Sequence, residues 1–310
     1  MRHKNLMCQQ LLGNSNSNLK NLLLLDATTG SCSIHILSSI VGHHFAQSLL
    51  QQNQPSTITW LGCNESLTGG EKEVSSSVRK VVESELFSSA NYSSKLLPSK
   101  QHSLVQFVNV AALLAANMLS LSPSESFSPA NFAKTLVQSA ANTDIVVIDD
   151  FAALCEMVGI KHAYVVVQCL KVNDATSNSK LVLRTQNPES FTHNVIDENS
   201  SNKSSFYSNV AGVEAGSDAC PWLGAGGVVA PVDSTLSLSA SSGFLSLPDV
   251  TRLLVGTVDC VMFARVLASG LARSVDGSVD FWENGKAFFV KPVRVNFKVR
   301  SSGVECILVR

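Results

Sequence analysis

The chain has 310 residues, 45% of them hydrophobic and 15% charged, with a formal net charge of −1 and a mean hydropathy of +0.18. That length admits about one or two domains with a large core. The near-zero charge excludes a strongly basic polymer-binding protein and an acidic tail protein, though not a local basic face.

Residues 1–19 read as an N-terminal extension. Met1-Arg-His-Lys-Asn opens the chain without the long apolar stretch of a secretory signal. From Leu22 to about Val172, strand and helix signals alternate, which predicts a parallel, helix-covered sheet. Leu22–Asp26 is the first strand, and a helix follows from about Ser33 to Gln51. Thr57–Leu61 is the second strand. The helix after it, Glu71–Phe87, places Val74, Val78, Val81, Val82 and Leu86 on one face at helical spacing. Leu104–Val108 is the third strand. The apolar run Val105–Leu121 is broken by Gln106, Asn109 and Asn117, so it reads as a core strand and helix rather than a membrane span.

Ser128-Pro129 is a helix start, the serine as cap and the proline at the first helical position. Asp144-Ile-Val-Val-Ile-Asp149-Asp150 is a buried strand with its acids at the carboxyl end. Helices are expected at Phe151–Val158 and Ile160–Leu170 with Gly159 between them, then a strand at Lys180–Arg184. Residues 185–246 are rich in Ser, Asn, Gly and Asp. They read as a disordered insertion, which a compact domain tolerates because loop closure costs only about 0.6 kcal/mol per doubling of length. Beyond it come a short helix (Asp249–Val255) and strands at Val258–Val266 and Ser278–Trp282, with Val275-Asp276-Gly277 as a turn. A closing hairpin follows, Val293–Val299 and Val304–Val309, across Ser301-Ser302-Gly303. An antiparallel ending on a parallel sheet predicts a RecA-like α/β architecture, a single domain over 20–310.

Eight cysteines, at 8, 32, 63, 155, 169, 220, 260 and 306, form no C-x-x-C pair. They read as reduced thiols of a cytoplasmic or nuclear protein. Asn64-Glu-Ser66 and Asn91-Tyr-Ser93 then match the glycosylation pattern by chance.

Paired acids at the end of an apolar strand are where P-loop ATPases help hold Mg²⁺. The partner of that strand is a G-x-x-x-x-G-K-[ST] loop after the first strand. Here the first strand leads into Ala27-Thr-Thr-Gly30-Ser-Cys-Ser33, with one glycine and no lysine. A phosphate cradle needs several glycines for close backbone approach and a cation for the β/γ-phosphates. The frame of an ATPase is legible and its nucleotide motif is missing.

Three blocks resemble Elongator complex protein 6, the RecA-like family of sixth Elongator subunits. They are Leu22-Leu-Leu-Leu-Asp-Ala-Thr-Thr-Gly30 running into a His-bearing helix, Ile145-Val-Val-Ile-Asp-Asp-Phe-Ala-Ala-Leu154, and Gly270-Leu-Ala-Arg-Ser-Val-Asp-Gly-Ser-Val279 before the terminal basic hairpin. The resemblance covers roughly 20–62, 143–184 and 250–310. Residues 63–142 match only in element order, and 185–246 have no counterpart. It implies a non-catalytic pseudo-ATPase without cofactor. Such a protein assembles with Elongator subunits four and five into a hexameric ring of two copies each. The ring docks on the catalytic Elongator subcomplex, binds tRNA and supports modification of the wobble uridine at carbon five. The rival readings are a divergent NTPase using Asp149 or Asp150, and a RecA-like scaffold of another complex.

Among candidate sites, Asp149 and Asp150 read as a fold relic or subunit contact, one carboxylate accepting loop amides to hold the strand end rigid. Cys32, His35, His43 and His44 lie on one helix, but adjacent histidines point apart and zinc needs about four converging ligands. Gly224–Gly227 follows no strand and reads as linker. In Val293–Arg300, period-two alternation puts Arg294, Lys298 and Arg300 on one face, the candidates for contact with tRNA phosphates. The plainer reading of those charges is a solvated sheet face or edge protection.

Overall fold

The computed structural model describes residues 21–26, 32–52, 56–64, 69–88, 104–122, 126–177, 180–186, 247–265, 275–283, 293–300 and 303–307. The N-terminal extension 1–19, the loop 27–31, the Gly224–Gly227 run, and the insertion from 187 to 246 lie outside the described residues, as do residues 270–274 of the third block.

Nine strands form one sheet: β1 (Leu22–Asp26), β2 (Ile58–Gly62), β3 (Gln106–Asn109), β4 (Ile145–Ile148), β5 (Lys180–Gln186), β6 (Cys260–Arg265), β7 (Gly277–Glu283), β8 (Val293–Arg300) and β9 (Gly303–Ile307). Their order is β3-β2-β4-β5-β1-β6-β7-β8-β9. The first six pair with one another in parallel, and β7, β8 and β9 continue the sheet antiparallel from β6. This is a RecA-like architecture, a mostly parallel sheet flanked by helices with an antiparallel C-terminal continuation. β5 runs two residues past its expected end, through buried Thr185 to Gln186.

Helices α1 (Cys32–Gln52) and α2 (Glu71–Ser88) cover one face. The other carries α3 (Val110–Leu119), α4 (Pro129–Ser139), α5 (Phe151–Val158), α6 (Ile160–Ser177) and α7 (Leu247–Thr257). The sequence of β1 explains the two layers. Leu22 and Leu24 enter the core under α1 and α2, while Leu23 and Leu25 enter the core under the other helices, all four at 0% exposure. A strand buried on both faces needs an unbroken apolar run rather than alternation. Each such leucine stabilises the fold by about 1.5–3 kcal/mol relative to exposure.

The predicted face of α2 is buried throughout, from Val74 to Leu86. Gly42 lets α1 approach α2 closely, since a Cβ there would lie 2.8 Å from Val81 Cβ. Ser128 caps α4 by accepting the N–H of Asn131 at 3.3 Å, with Pro129 first in the helix. Gly159, at φ 81°, separates α5 from α6.

The helix in the Val105–Leu121 run forms, but it is not core. Asn109 ends β3 and caps α3 by accepting the N–H of Ala112 at 2.8 Å. Within α3 only Val110 is buried, and Met118 and Leu119 are 54% and 87% exposed. The helix packs at the edge beyond β2 and β3, where one layer of neighbours cannot cover it. Among the described residues no helix is long and apolar enough to cross a membrane.

Candidate functional site

The carboxyl ends of β1, β4 and β5 bring together four charged residues. Asp26 ends β1. Arg184 lies on β5, paired in register with Leu24, and Asp149 and Asp150 follow β4. All four are buried, Arg184 at 1% exposure. Its Nε and Nη2 donate to Asp26 Oδ2 at 3.2 and 2.9 Å. Its Nη1 donates to the Asp149 carbonyl at 3.2 Å and lies 3.4 Å from Asp150 Oδ2. The guanidinium therefore bridges the ends of all three strands.

The remaining acceptors are also engaged. Asp149 Oδ1 accepts the Cys63 N–H at 2.7 Å, and Oδ2 accepts the Trp60 indole N–H at 3.2 Å. This is the loop-amide role expected of the pair, tying the end of β4 to the end of β2. Asp150 caps α5 through the Ala153 N–H at 3.2 Å and accepts from the Asn64 amide at 3.1 Å. Burial pushes the Asp149 carboxyl up to about 7 against the stabilising Cys63 and Trp60 donors; Asp150 raises it further and Arg184 lowers it. Burial, reinforced by the Asp149 charge, holds the Cys63 thiol well above its usual range.

A nucleotide–Mg²⁺ site needs carboxylate oxygens free for the metal shell and a cation for the phosphates. Here the arginine serves as an internal counter-ion and the oxygens are answered by protein donors. These residues do not fit a nucleotide–metal group. Arg184 is absent from the sequence-level candidates, although one arginine inside the apolar strand Lys180-Leu-Val-Leu-Arg184 is the signal that marks it. A buried arginine demands buried carboxylates, and the strand-end acids supply them.

The second candidate lies at the other end of the sheet. Val295 and Phe297 of β8 are buried, while Arg294, Lys298 and Arg300 alternate with them as expected. Arg294 and Arg300 are engaged within the sheet. Arg294 donates to both oxygens of Asp280 at 2.6 and 3.1 Å, and Asp280 also pairs with Arg265. Arg300 donates to Glu305 at 2.9 Å, and Lys298 lies opposite Glu305 in the β8–β9 register. Arg265 stacks on Phe263 with its guanidinium carbon 5.2 Å from the ring centre. Asp280 and Arg265 escaped the sequence reading because their pairing depends on strand register across separate hairpins.

The helical histidines do not converge. His43 Nδ1 lies 3.4 Å from Glu85 without hydrogen-bond geometry. Burial lowers the titration of His35 and His44. Among the described residues no group of three His, Cys, Asp or Glu side chains is placed to hold a metal.

No protein-family model matches the chain, and no curated protein sequence matches it. Many solved structures are similar in shape, and two of them illustrate the likeness. Flagellar accessory protein FlaH from Methanocaldococcus jannaschii has 11% identity and a TM-score of 0.47 over 100% of this chain and 97% of its own. A KaiC-like protein from the archaeon Pyrococcus horikoshii has 10% identity and a TM-score of 0.41 over 93% and 90%. At such values they assign no chemistry here, and the architecture rests on the chain's own sheet.

Proposed function

We propose that this chain is a non-catalytic, RecA-like ring subunit of an Elongator-type assembly. In this reading it joins subunits four and five in a hexameric ring, two copies of each. The ring docks on the catalytic subcomplex and supports tRNA wobble-uridine modification at carbon five. The observation that carries the non-catalytic part is Arg184. It neutralises Asp26 and Asp150 from within, at the strand ends where an ATPase would hold metal and phosphate.

The exposed apolar end of α3, with Met118 and Leu119 uncovered beside the edge strand β3, supports a role exercised through protein contacts. The three sequence blocks supply the choice of assembly.

The test is gentle purification of the tagged chain from its own cells, with its stoichiometric partners identified by mass spectrometry. Elongator subunits four and five in equal amount are the expected result. Their absence from an intact, soluble preparation would overturn the assignment and leave a RecA-like scaffold of another complex. The same preparation should show no saturable ATP binding, and ATP binding that depends on Asp149 or Asp150 would turn the reading into a divergent NTPase.

A further inference from the structure

A solvent-open hollow of about 70 Å³ lies where α1, α2 and the β8–β9 turn meet. It is lined by His35, Ser38, Ser77, Lys80, Arg300 and Gly303, together with Val81. Among the described residues no carboxylate lines it. Ser38 is 1% exposed, and its Oγ is buried with no hydrogen-bond partner. A buried hydroxyl left unanswered destabilises the fold, so an unanswered hydroxyl beside a lysine points to a ligand that accepts hydrogen bonds.

The walls are fixed by close packing. Gly303 has φ 128°, and a Cβ there would lie 3.1 Å from both Ser39 Oγ and Val81 Cγ2. The next residue, Val304, donates its N–H to Ser39 Oγ at 2.9 Å, pinning the turn to α1. Val81 in turn packs against Gly42.

We propose that this hollow is a binding site for a phosphate-type oxyanion, with Lys80 supplying the charge and Ser38 and Ser77 donating hydroxyl hydrogen bonds. Arg300 borders the hollow but keeps Glu305 as its partner, so Lys80 is the principal cation. Burial and the nearby Lys80 charge hold the His35 ring below the usual histidine range. The neutral ring thus has one N–H to offer. A phosphate has several acceptor oxygens and matches one ammonium plus two hydroxyls, whereas chloride has no directional match to them. The same chemistry is presented by free phosphate and by a phosphodiester of an RNA strand. The inference does not depend on the Elongator reading.

The test uses the full chain and inorganic phosphate as the probe, titrated at constant ionic strength against chloride and followed calorimetrically. Saturable binding is expected, weakened about tenfold or more by Lys80→Ala, which removes a charge-assisted hydrogen bond. Ser38→Ala should weaken it about threefold or more, and Lys134→Ala, on α4 across the sheet from the hollow, should leave it unchanged. Lys80 is solvent-exposed, so its loss does not threaten folding. Competition by a short single-stranded RNA would assign the site to a nucleic-acid backbone, and its failure would assign the site to a free anion. No binding beyond the chloride control, or equal binding by Lys80→Ala, overturns the proposal.

Discussion

Two clusters of charge in this sheet obey opposite rules. At the ends of β1, β4 and β5 a single cation, Arg184, is surrounded by carboxylates, and neither it nor they reach solvent. On the β6–β8 face the ratio is reversed. One buried carboxylate, Asp280, is shared by two arginines, with Arg294 47% and Arg265 30% exposed. A charge with no route to water must keep its partner, while a partly exposed one can exchange its partner for water. The first cluster is therefore committed to structure, while the arginines of the second can exchange their partner for water.

The largest effect should come from breaking the first cluster. Arg184→Met keeps much of the side-chain volume but strands the Asp26 and Asp150 carboxylates, at an expected cost of about 3–5 kcal/mol in urea denaturation. Adding Asp26→Leu and Asp150→Asn, the latter retaining the cap on α5, should recover most of that loss. A cost below about 1 kcal/mol for Arg184→Met alone would mean that water reaches the cluster, and the contrast between the two regions would vanish.

Asp149 gives a pH signature to the same region. Its carboxyl titrates near 7 in the folded chain and near the ordinary carboxylate value when unfolded. The folded state thus binds one more proton between about pH 4 and pH 7. Its contribution to stability is complete below that window and is lost as pH rises through about 7. Comparing denaturation midpoints of the wild type and Asp149→Asn from pH 4 to 8 isolates this term, because other carboxylates titrate alike in both. The difference should change by about 1–4 kcal/mol across the window. A flat difference would mean that the Cys63 and Trp60 donors keep the carboxylate ionised throughout.

Removing the shared acid of the second cluster should cost less. Asp280→Ala is expected to lose about 1–3 kcal/mol, since Arg265 and Arg294 can turn to water. Arg294→Ala should lose no more than about 1 kcal/mol, because Arg265 still answers Asp280. The order Arg184→Met, then Asp280→Ala, then Arg294→Ala is the quantitative form of the comparison. An inverted order would place the rigid cluster on the wrong side of the sheet.

Much of this could be read from the chain, and the exceptions share a cause. The parallel core, the cap at Ser128, the break at Gly159 and the alternation in β8 are local signals, set by periodicity or by one residue's backbone preference. The role of Arg184 needed the knowledge that β5 lies between β1 and β4, although the two strands it bridges lie far from it in sequence. The exposure of α3 is hidden from the sequence for a related reason. Its composition is that of a core helix, and only its place at the sheet edge leaves Met118 and Leu119 uncovered. Asp280 as the anchor of Arg294 likewise depends on register rather than on pattern.

The smallest effects concern the exposed cations themselves, and they sharpen the tRNA reading. If the β8 face contacts phosphates, its three cations should not contribute equally. Arg294 has both ends of its guanidinium on Asp280, so reaching a phosphate would cost it those bonds. Lys298 lies opposite Glu305 in the hairpin and Arg300 donates to it, with the Arg300 side chain 53% exposed. In tRNA titrations by the assembled ring, Lys298→Ala and Arg300→Ala should each lower the slope of log affinity against log salt by about 1. Arg294→Ala should lower it less, and the triple substitution should weaken affinity most at low salt. None of the three should shift the denaturation midpoint by more than about 1 kcal/mol. Equal effects at all three positions would show that Asp280 does not hold Arg294 in solution. Unchanged slopes with an intact ring would assign the face to solubility and edge protection.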